Sequence, residues 1–198
     1  MSVDKPTSIT LLERLRAREQ EAWQRLLHLY APLVAYWCKQ WGVRGADTED
    51  IIQEVFQAVA AGLDNFRHER AGDTFRGWLR GITRHKVLDH LRRQRHQPAA
   101  QGGTDAQRHL QQIAEIETSP PDDSGDPQDE MTRLYHRALE LVRSEFEERT
   151  WQAFWRAAIE SQTPADIATD LGMSPAAVRK AKSRVLRRLR EEIGDLIG

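Results

Sequence analysis

The sequence predicts an all-α protein: two helical domains joined by a flexible acidic linker, with a helix-turn-helix in the second domain. Three observations lead there. Alternating runs of Val, Ile and Thr do not occur, so no segment reads as a half-buried strand. Apolar residues recur instead at three- and four-residue spacing along most of the chain. That pattern breaks from about Gln97 to Asp129, where Gly102-Gly103, Pro120-Pro121, Gly125 and Pro127 gather among scattered acids. The expected division is residues 1–97, a linker at 98–129, and residues 130–198.

Each element has its own signal. Leu11, Leu12 and Leu15 predict a short amphipathic helix, and Ala22, Trp23, Leu26, Leu27 and Tyr30 a second. Pro32 is expected to kink or restart it, after which Leu33, Val34, Tyr36 and Trp37 carry the pattern to Gly42. Asp47 or Thr48 is expected to cap the next helix, which runs to about Leu63 on a stripe of Ile51, Ile52, Val55, Phe56 and Val59. Residues 65–73 read as a polar loop. Thr74 then caps a long helix whose candidate core is Phe75, Trp78, Leu79, Ile82, Val87, Leu88 and Leu91. Its polar remainder is strongly basic: Arg76, Arg80, Arg84, Lys86, Arg92, Arg93 and Arg95, against the single acid Asp89.

His109 to Glu117 carries a weak apolar pattern, that of a short helix inside the linker. Folding is expected to return at about Glu130. Met131, Leu134, Ala138, Leu139, Val142 and Phe146 mark one helix, and Trp151, Phe154, Trp155, Ala158 and Ile159 another. Two helix starts then follow in quick succession. Thr163 can cap a helix beginning at Pro164, with Asp166 as the acidic partner of a capping box, and Ser174-Pro175 repeats the start. Gly172 suits the left-handed turn between them, and the small Ala168 suits a close crossing. Ile167, Ala168 and Leu171 face inward from the first helix, and Val178, Ala181, Val185 and Leu189 from the second.

Charge names the partner class. The second helix carries Arg179, Lys180, Lys182, Arg184, Arg187, Arg188 and Arg190, with no acid between Pro175 and Arg190. A solvated helix without a partner usually interleaves signs, whereas one-sign charge on a helix that fits the major groove suits a polyanion. The formal net charge of −1 conceals this segregation. From Pro98 to Glu130 there are eight acids and one base, about −7, which leaves the rest of the chain at about +6. The single cysteine, Cys38, excludes an internal disulfide and a multi-cysteine zinc site, and reads as a small core residue. No stretch approaches the ~20 apolar residues of a membrane span, and the N-terminus lacks the apolar core of a signal peptide. A soluble, cytoplasmic protein is expected.

Taken in order, D-T-E-D-I-I-Q-E-V-F from Asp47, D-T-F-R-G-W-L-R-G-I-T-R-H-K-V-L-D-H-L-R-R from Asp73, a linker and a helix-turn-helix resemble the bacterial extracytoplasmic-function (ECF) sigma factors. The resemblance spans nearly the whole chain. It implies a dissociable initiation subunit, not an enzyme and without a cofactor or metal, that directs promoter-specific transcription. It assigns docking on the coiled coil of the largest catalytic subunit of core RNA polymerase to Asp47, Glu49, Asp50, Gln53 and Glu54, with Phe56 packing below. It assigns capture of the minus-ten element to Asn65, Arg67, Asp73, Thr74 and Arg76 near the loop and to Arg80, Arg84, Lys86, Arg92 and Arg93 along the helix. Unstacking a base costs a few kcal/mol, offset by pocket and phosphate contacts. Housekeeping sigma factors carry adjacent tryptophans here; this chain has Gly77-Trp78-Leu79, and Trp78, on the apolar stripe, reads as core. The second domain resembles the reader of the minus-thirty-five duplex. Ser174, Pro175, Ala176 and Arg179 lie at the end of the helix that meets base edges, and Lys180, Lys182, Ser183, Arg184, Arg187 and Arg188 suit phosphates. The acidic linker would occupy a basic polymerase channel, and an anti-sigma partner is common in the family.

Two other functions compete. A stand-alone helix-turn-helix regulator explains the C-terminal domain equally well but not a second basic helix before a long acidic linker. A carboxylate–histidine metal enzyme could recruit Glu49, Asp50, Glu54, His85 and His90. Its Glu-x-x-His pairs are absent, and the histidines lie among arginines whose charge opposes a metal. There is no phosphate-cradling glycine loop and no G-x-S-x-G turn.

Overall fold

A computed structural model describes residues 10–67, 74–96, 111, 113, 114, 116 and 127–197. Among these residues there are helices and no strand. The chain opens with α1 (Leu11–Arg16), for which Thr10 and Glu13 form a reciprocal capping box. α2 (Gln20–Gln40) runs through Pro32 as one helix instead of restarting there. Its neighbours Tyr30, Leu33 and Val34 are fully buried, so tertiary packing holds the turn that loses a backbone hydrogen bond. α3 spans Ala46–Gly62 and is followed by a single 3₁₀ turn, Leu63–Asn65.

The start of α3 corrects one expectation. Its N-cap is Gly45, at φ 66° and ψ −142°, and neither Asp47 nor Thr48 caps it. A left-handed backbone is open to glycine at no steric cost, and the turn needs it there. Asp47 falls inside the first helical turn, where an acid still suits the positive end of the helix dipole.

α4 (Phe75–His96) starts where Thr74 Oγ1 accepts the Gly77 N–H at 3.0 Å. α5 spans Pro127–Arg143, three residues earlier than composition suggested, because a proline ring is already set for a first helical position. α6 (Glu148–Ala158), α7 (Pro164–Leu171) and α8 (Pro175–Ile197) complete the order. Thr163 Oγ1 accepts the Asp166 N–H and donates its own proton to the Asp166 carboxylate at 2.6 Å. Gly172 sits at φ 60° and ψ 42°, and Ser174 Oγ accepts the Ala177 N–H at 3.1 Å.

The two halves share a core. Trp37, Phe75 and Leu79 belong to the same continuous buried cluster as Leu134, Val142 and Val185. α5 lies on α2, and α8 reaches both α1 and α4. Within the expected linker, Gln111, Ile113, Ala114 and Ile116 are helical, and Ile113 and Ile116 are buried in that cluster. Ala153, Ile167, Ala168, Val178 and Ala181 form a smaller cluster beneath the Gly172 turn.

Candidate nucleic-acid interface

The basic helix α4 presents three faces with different surroundings. Its start is pinned by aromatic packing: the Phe75 ring meets Tyr30 at 5.3 Å, Phe66 at 5.7 Å and Trp78 at 5.6 Å, all edge-on. Trp78 stacks on Phe66 at 4.9 Å and is half-buried, as its place on the apolar stripe predicted. Gly62 gives it room, since a Cβ there would lie 3.1 Å from the Trp78 ring.

One face of α4 turns to α5 and the residues before it. Arg76 donates to Glu130 at 2.7 Å, and the other oxygen of Glu130 accepts the Trp37 indole N–H, also at 2.7 Å. Arg80 is only 3% exposed, with its guanidinium 5.9 Å from the centre of the Trp37 ring. Arg84 donates to the Ile116 carbonyl at 3.0 Å. A spacing of four residues places Arg76, Arg80 and Arg84 on this one side.

A second face turns to α3. Lys86 and Arg93 pair with Glu54 at 3.3 and 3.0 Å, and Gln94 and His90 meet Asp47 at 3.1 and 3.5 Å. Partial burial by itself would raise the Glu54 pKa; hydrogen bonds from Arg93 and Lys86 outweigh it and hold the carboxyl below its ordinary range. Glu54 and Asp47, seven residues apart, thus fasten α3 to α4, while Glu49, Asp50 and Gln53 stand exposed. Arg92 looks outward and pairs with Asp89 at 3.4 Å.

The remaining loop candidates stay near the start of α4. Asn65 ends the 3₁₀ turn and is exposed. Arg67 donates to the carbonyls of Asp64 and Phe66. Thr74 is spent on capping, and Asp73 lies outside the described residues.

On α8, Ser174, Pro175, Ala176, Arg179 and Lys180 form an exposed N-terminal end, followed by exposed Ser183, Arg184 and Arg187. Arg184 also lies 5.7 Å from the Phe146 ring centre, and Lys182 donates to the Ala157 carbonyl at 3.1 Å. Arg188 is engaged elsewhere. It meets Glu145 at 2.6 Å and Glu192 at 2.7 Å, and both acids also bind Arg25 of α2, at 2.8 and 3.0 Å. Desolvation alone would lower both guanidinium pKa values, but the paired carboxylates raise them further, so the two cations stay charged.

An acid-edged helix locked to a basic helix, with a second basic helix beyond a tight glycine turn, suits a protein that holds one macromolecule while gripping a nucleic acid. Comparison with known proteins defines the class. The family model described as sigma-70 region 2 matches residues 20–97, the stretch from α2 to just past α4. The chain is similar to RNA polymerase sigma factor CarQ of Myxococcus xanthus, at 29% identity over 93% of this chain and 97% of that protein. It is also similar to the probable RNA polymerase sigma factor RfaY of Xanthomonas campestris pv. campestris, at 32% identity over 75% of this chain; the match spans 34% of RfaY. Residues 20–97 therefore match region 2 of sigma-70 factors, and the likeness to RNA polymerase sigma factors extends along most of the chain. These findings support the extracytoplasmic-function sigma factor to which the motif order from Asp47 to the C-terminal helices points. As a sigma factor it binds core RNA polymerase and directs transcription initiation. No described helix is long and apolar enough to cross a membrane.

Proposed function

We propose that residues 1–97 dock on core polymerase and hold the opened minus-ten strand, that 130–198 read the minus-thirty-five duplex, and that 98–129 connect the two. The carrying observation is the locking of α3 to α4 through Glu54 and Asp47. It sets the acidic edge, with exposed Glu49, Asp50 and Gln53, at a fixed angle to the basic helix. A polymerase helix gripping that edge would therefore aim Asn65, Arg67, Arg92 and Arg93 at the same strand each time. Asp73, Thr74, Arg76, Arg80, Arg84 and Lys86 complete this assignment.

On α8, Ser174, Pro175, Ala176 and Arg179 would enter the major groove, with Lys180, Lys182, Ser183, Arg184, Arg187 and Arg188 toward phosphates. Promoter DNA supplies the binding energy there mainly through charge, so the contact should weaken steeply with salt.

Run-off transcription on genomic fragments with bacterial core polymerase tests the scheme. Arg184→Glu with Arg187→Glu should abolish promoter-specific starts while core still co-purifies with the chain. Asp50→Lys should lose core while leaving the isolated chain's duplex binding intact. If both variants fail at the same step, the division of labour is wrong.

A further inference from the structure

Beneath the Gly172 turn the buried cluster is built of small side chains: Ala153, Ile167, Ala168, Val178 and Ala181, three of the five being alanine. Alanines let helices approach closely but interlock little, so packing alone leaves the angle between α7 and α8 loosely set. α6 supplies what the cluster lacks. Arg149 and Arg156 lie seven residues apart, two helical turns, and so share one side of that helix. Arg149, in the first turn, donates to the carbonyl of Gly172, the left-handed residue that ends α7. Arg156, near the other end, holds both sides of α7. Its Nε donates to Gln162 Oε1 at 2.6 Å, just before the helix, and its Nη2 pairs with Asp170 in the last turn. Two features there are unfavourable by themselves. Ser161 keeps a left-handed backbone, φ 56°, with a Cβ to accommodate. Asp170 sets an acid at the negative end of the α7 dipole. The Arg156 guanidinium offsets the second directly. Its bond to Gln162, with the Gln162 N–H donating to the Arg156 carbonyl at 2.9 Å, holds the chain beside the first.

We propose that Arg149 and Arg156 are positioning residues for duplex reading. They fix the line along which α8 leaves the Gly172 turn, and so the depth and register at which Ser174, Pro175, Ala176 and Arg179 meet base edges. Neither guanidinium contacts DNA. This rests on the assignment of α8 to the minus-thirty-five duplex. A phosphate contact and a positioning contact leave different signatures. Losing a phosphate contact means one fewer counterion released, so every sequence is weakened alike and the salt dependence flattens. Losing a positioning contact keeps the neutralised phosphates and erodes the difference between the right sequence and a wrong one.

The test uses the full chain assembled with bacterial core polymerase. The probes are a fluorescein-labelled duplex from a start site mapped by run-off and its copy with the minus-thirty-five element scrambled. Arg149→Met keeps the length of the side chain and removes every donor, and Arg149→Lys restores a charged donor. Arg156→Met is made alone and together with Asp170→Asn. Arg184→Gln, at an exposed position assigned to phosphates, is the reference. Arg149→Met and Arg156→Met should each lower affinity for the intact duplex about fivefold and hold the scrambled one within about twofold. The slope of log affinity against log salt on the intact duplex should not change, which also certifies that α8 still lies on the DNA. Arg149→Lys should recover most of the loss. The variant lacking both Arg156 and Asp170 should bind no more weakly than Arg156→Met, because the two groups serve one contact. Arg184→Gln should weaken both duplexes alike and lower the slope by about one. If Arg149→Met flattens the slope as Arg184→Gln does, or leaves the intact-to-scrambled ratio at the wild-type value, positioning is overturned. Wild type failing to tell the two duplexes apart overturns the α8 assignment instead, so the two failures are read separately.

Discussion

Phe75→Ala probes the anchor on which the geometry of α4 depends. The ring is fully buried and meets three other aromatic rings within 5.7 Å. Deleting a buried Phe side chain costs about 3–5 kcal/mol from transfer and cavity terms, and edge-on aromatic pairs add about 0.5–1.5 kcal/mol each beyond burial. The loss should therefore sit near or above the upper end of that range, about 5 kcal/mol. Phe75→Leu keeps most of the volume and forfeits only the three ring pairs, about 1.5 kcal/mol at the lower end of the value for each pair. With a urea dependence of about 2–3 kcal/mol per molar, Ala should move the midpoint by about 2 M and Leu by about 0.5 M. Equilibrium unfolding followed by the fluorescence of the six tryptophans measures both. Phe75→Leu should keep most run-off activity, because Arg76 and Arg80 retain their support. Equal shifts for the two variants, or a shift below about 0.5 M for Ala, would refute the anchoring argument.

Three further outcomes follow from local chemistry. Gly172→Ala places a Cβ on a left-handed backbone, 3.2 Å from the Arg149 guanidinium, and should cost about 1–2 kcal/mol, read as a lower melting temperature. Burial pushes the Cys38 thiol up to about 12, so a thiol reagent should leave the native chain unlabelled at neutral pH and label it fully in urea. Burial would raise the Glu145 carboxyl, but Arg188 and Arg25 outweigh it and hold it below the usual range, as Arg93 and Lys86 do for Glu54. Both folded-state values are depressed. Their stabilisation is therefore complete above the ordinary carboxylate range and disappears as pH falls through the lowered values. Urea midpoints taken downward from pH 6 should fall on acidification, and Glu145→Gln should flatten that fall.

Much of the fold was legible because its signals are local. Thr163-Pro164, Gly172 and Ser174-Pro175 announce two helix starts and one stop, and each occupies its expected position. Thr74 likewise caps α4. The start of α3 was misplaced because Asp47 and Thr48 are ordinary capping residues, whereas Gly45 acts through a backbone angle that composition does not advertise. Pro32 carries a breaker's signature, yet it is overruled by the burial of Tyr30, Leu33 and Val34 around it. The basic residues of α4 were visible as a group, but their neighbours were not. Arg76 meets an acid 54 positions away and Arg25 one 167 positions away. No periodicity or spacing rule reaches that far. Ile113 and Ile116 showed only a weak pattern inside an acidic stretch, and their burial depends on a surface that other elements build.

The burial of Trp37, Phe75, Val142 and Val185 in one continuous cluster bears on how such a molecule can diversify. Exchanging the back half for that of a cousin, to graft a new operator preference, would transplant one side of a fitted seam without the other. A hybrid should then need matched changes at Arg25, Trp37 and Glu130 before it regains the parent's resistance to heat and proteases. Lineages that shuffle these modules would drift in pairs of positions lying far apart along the gene.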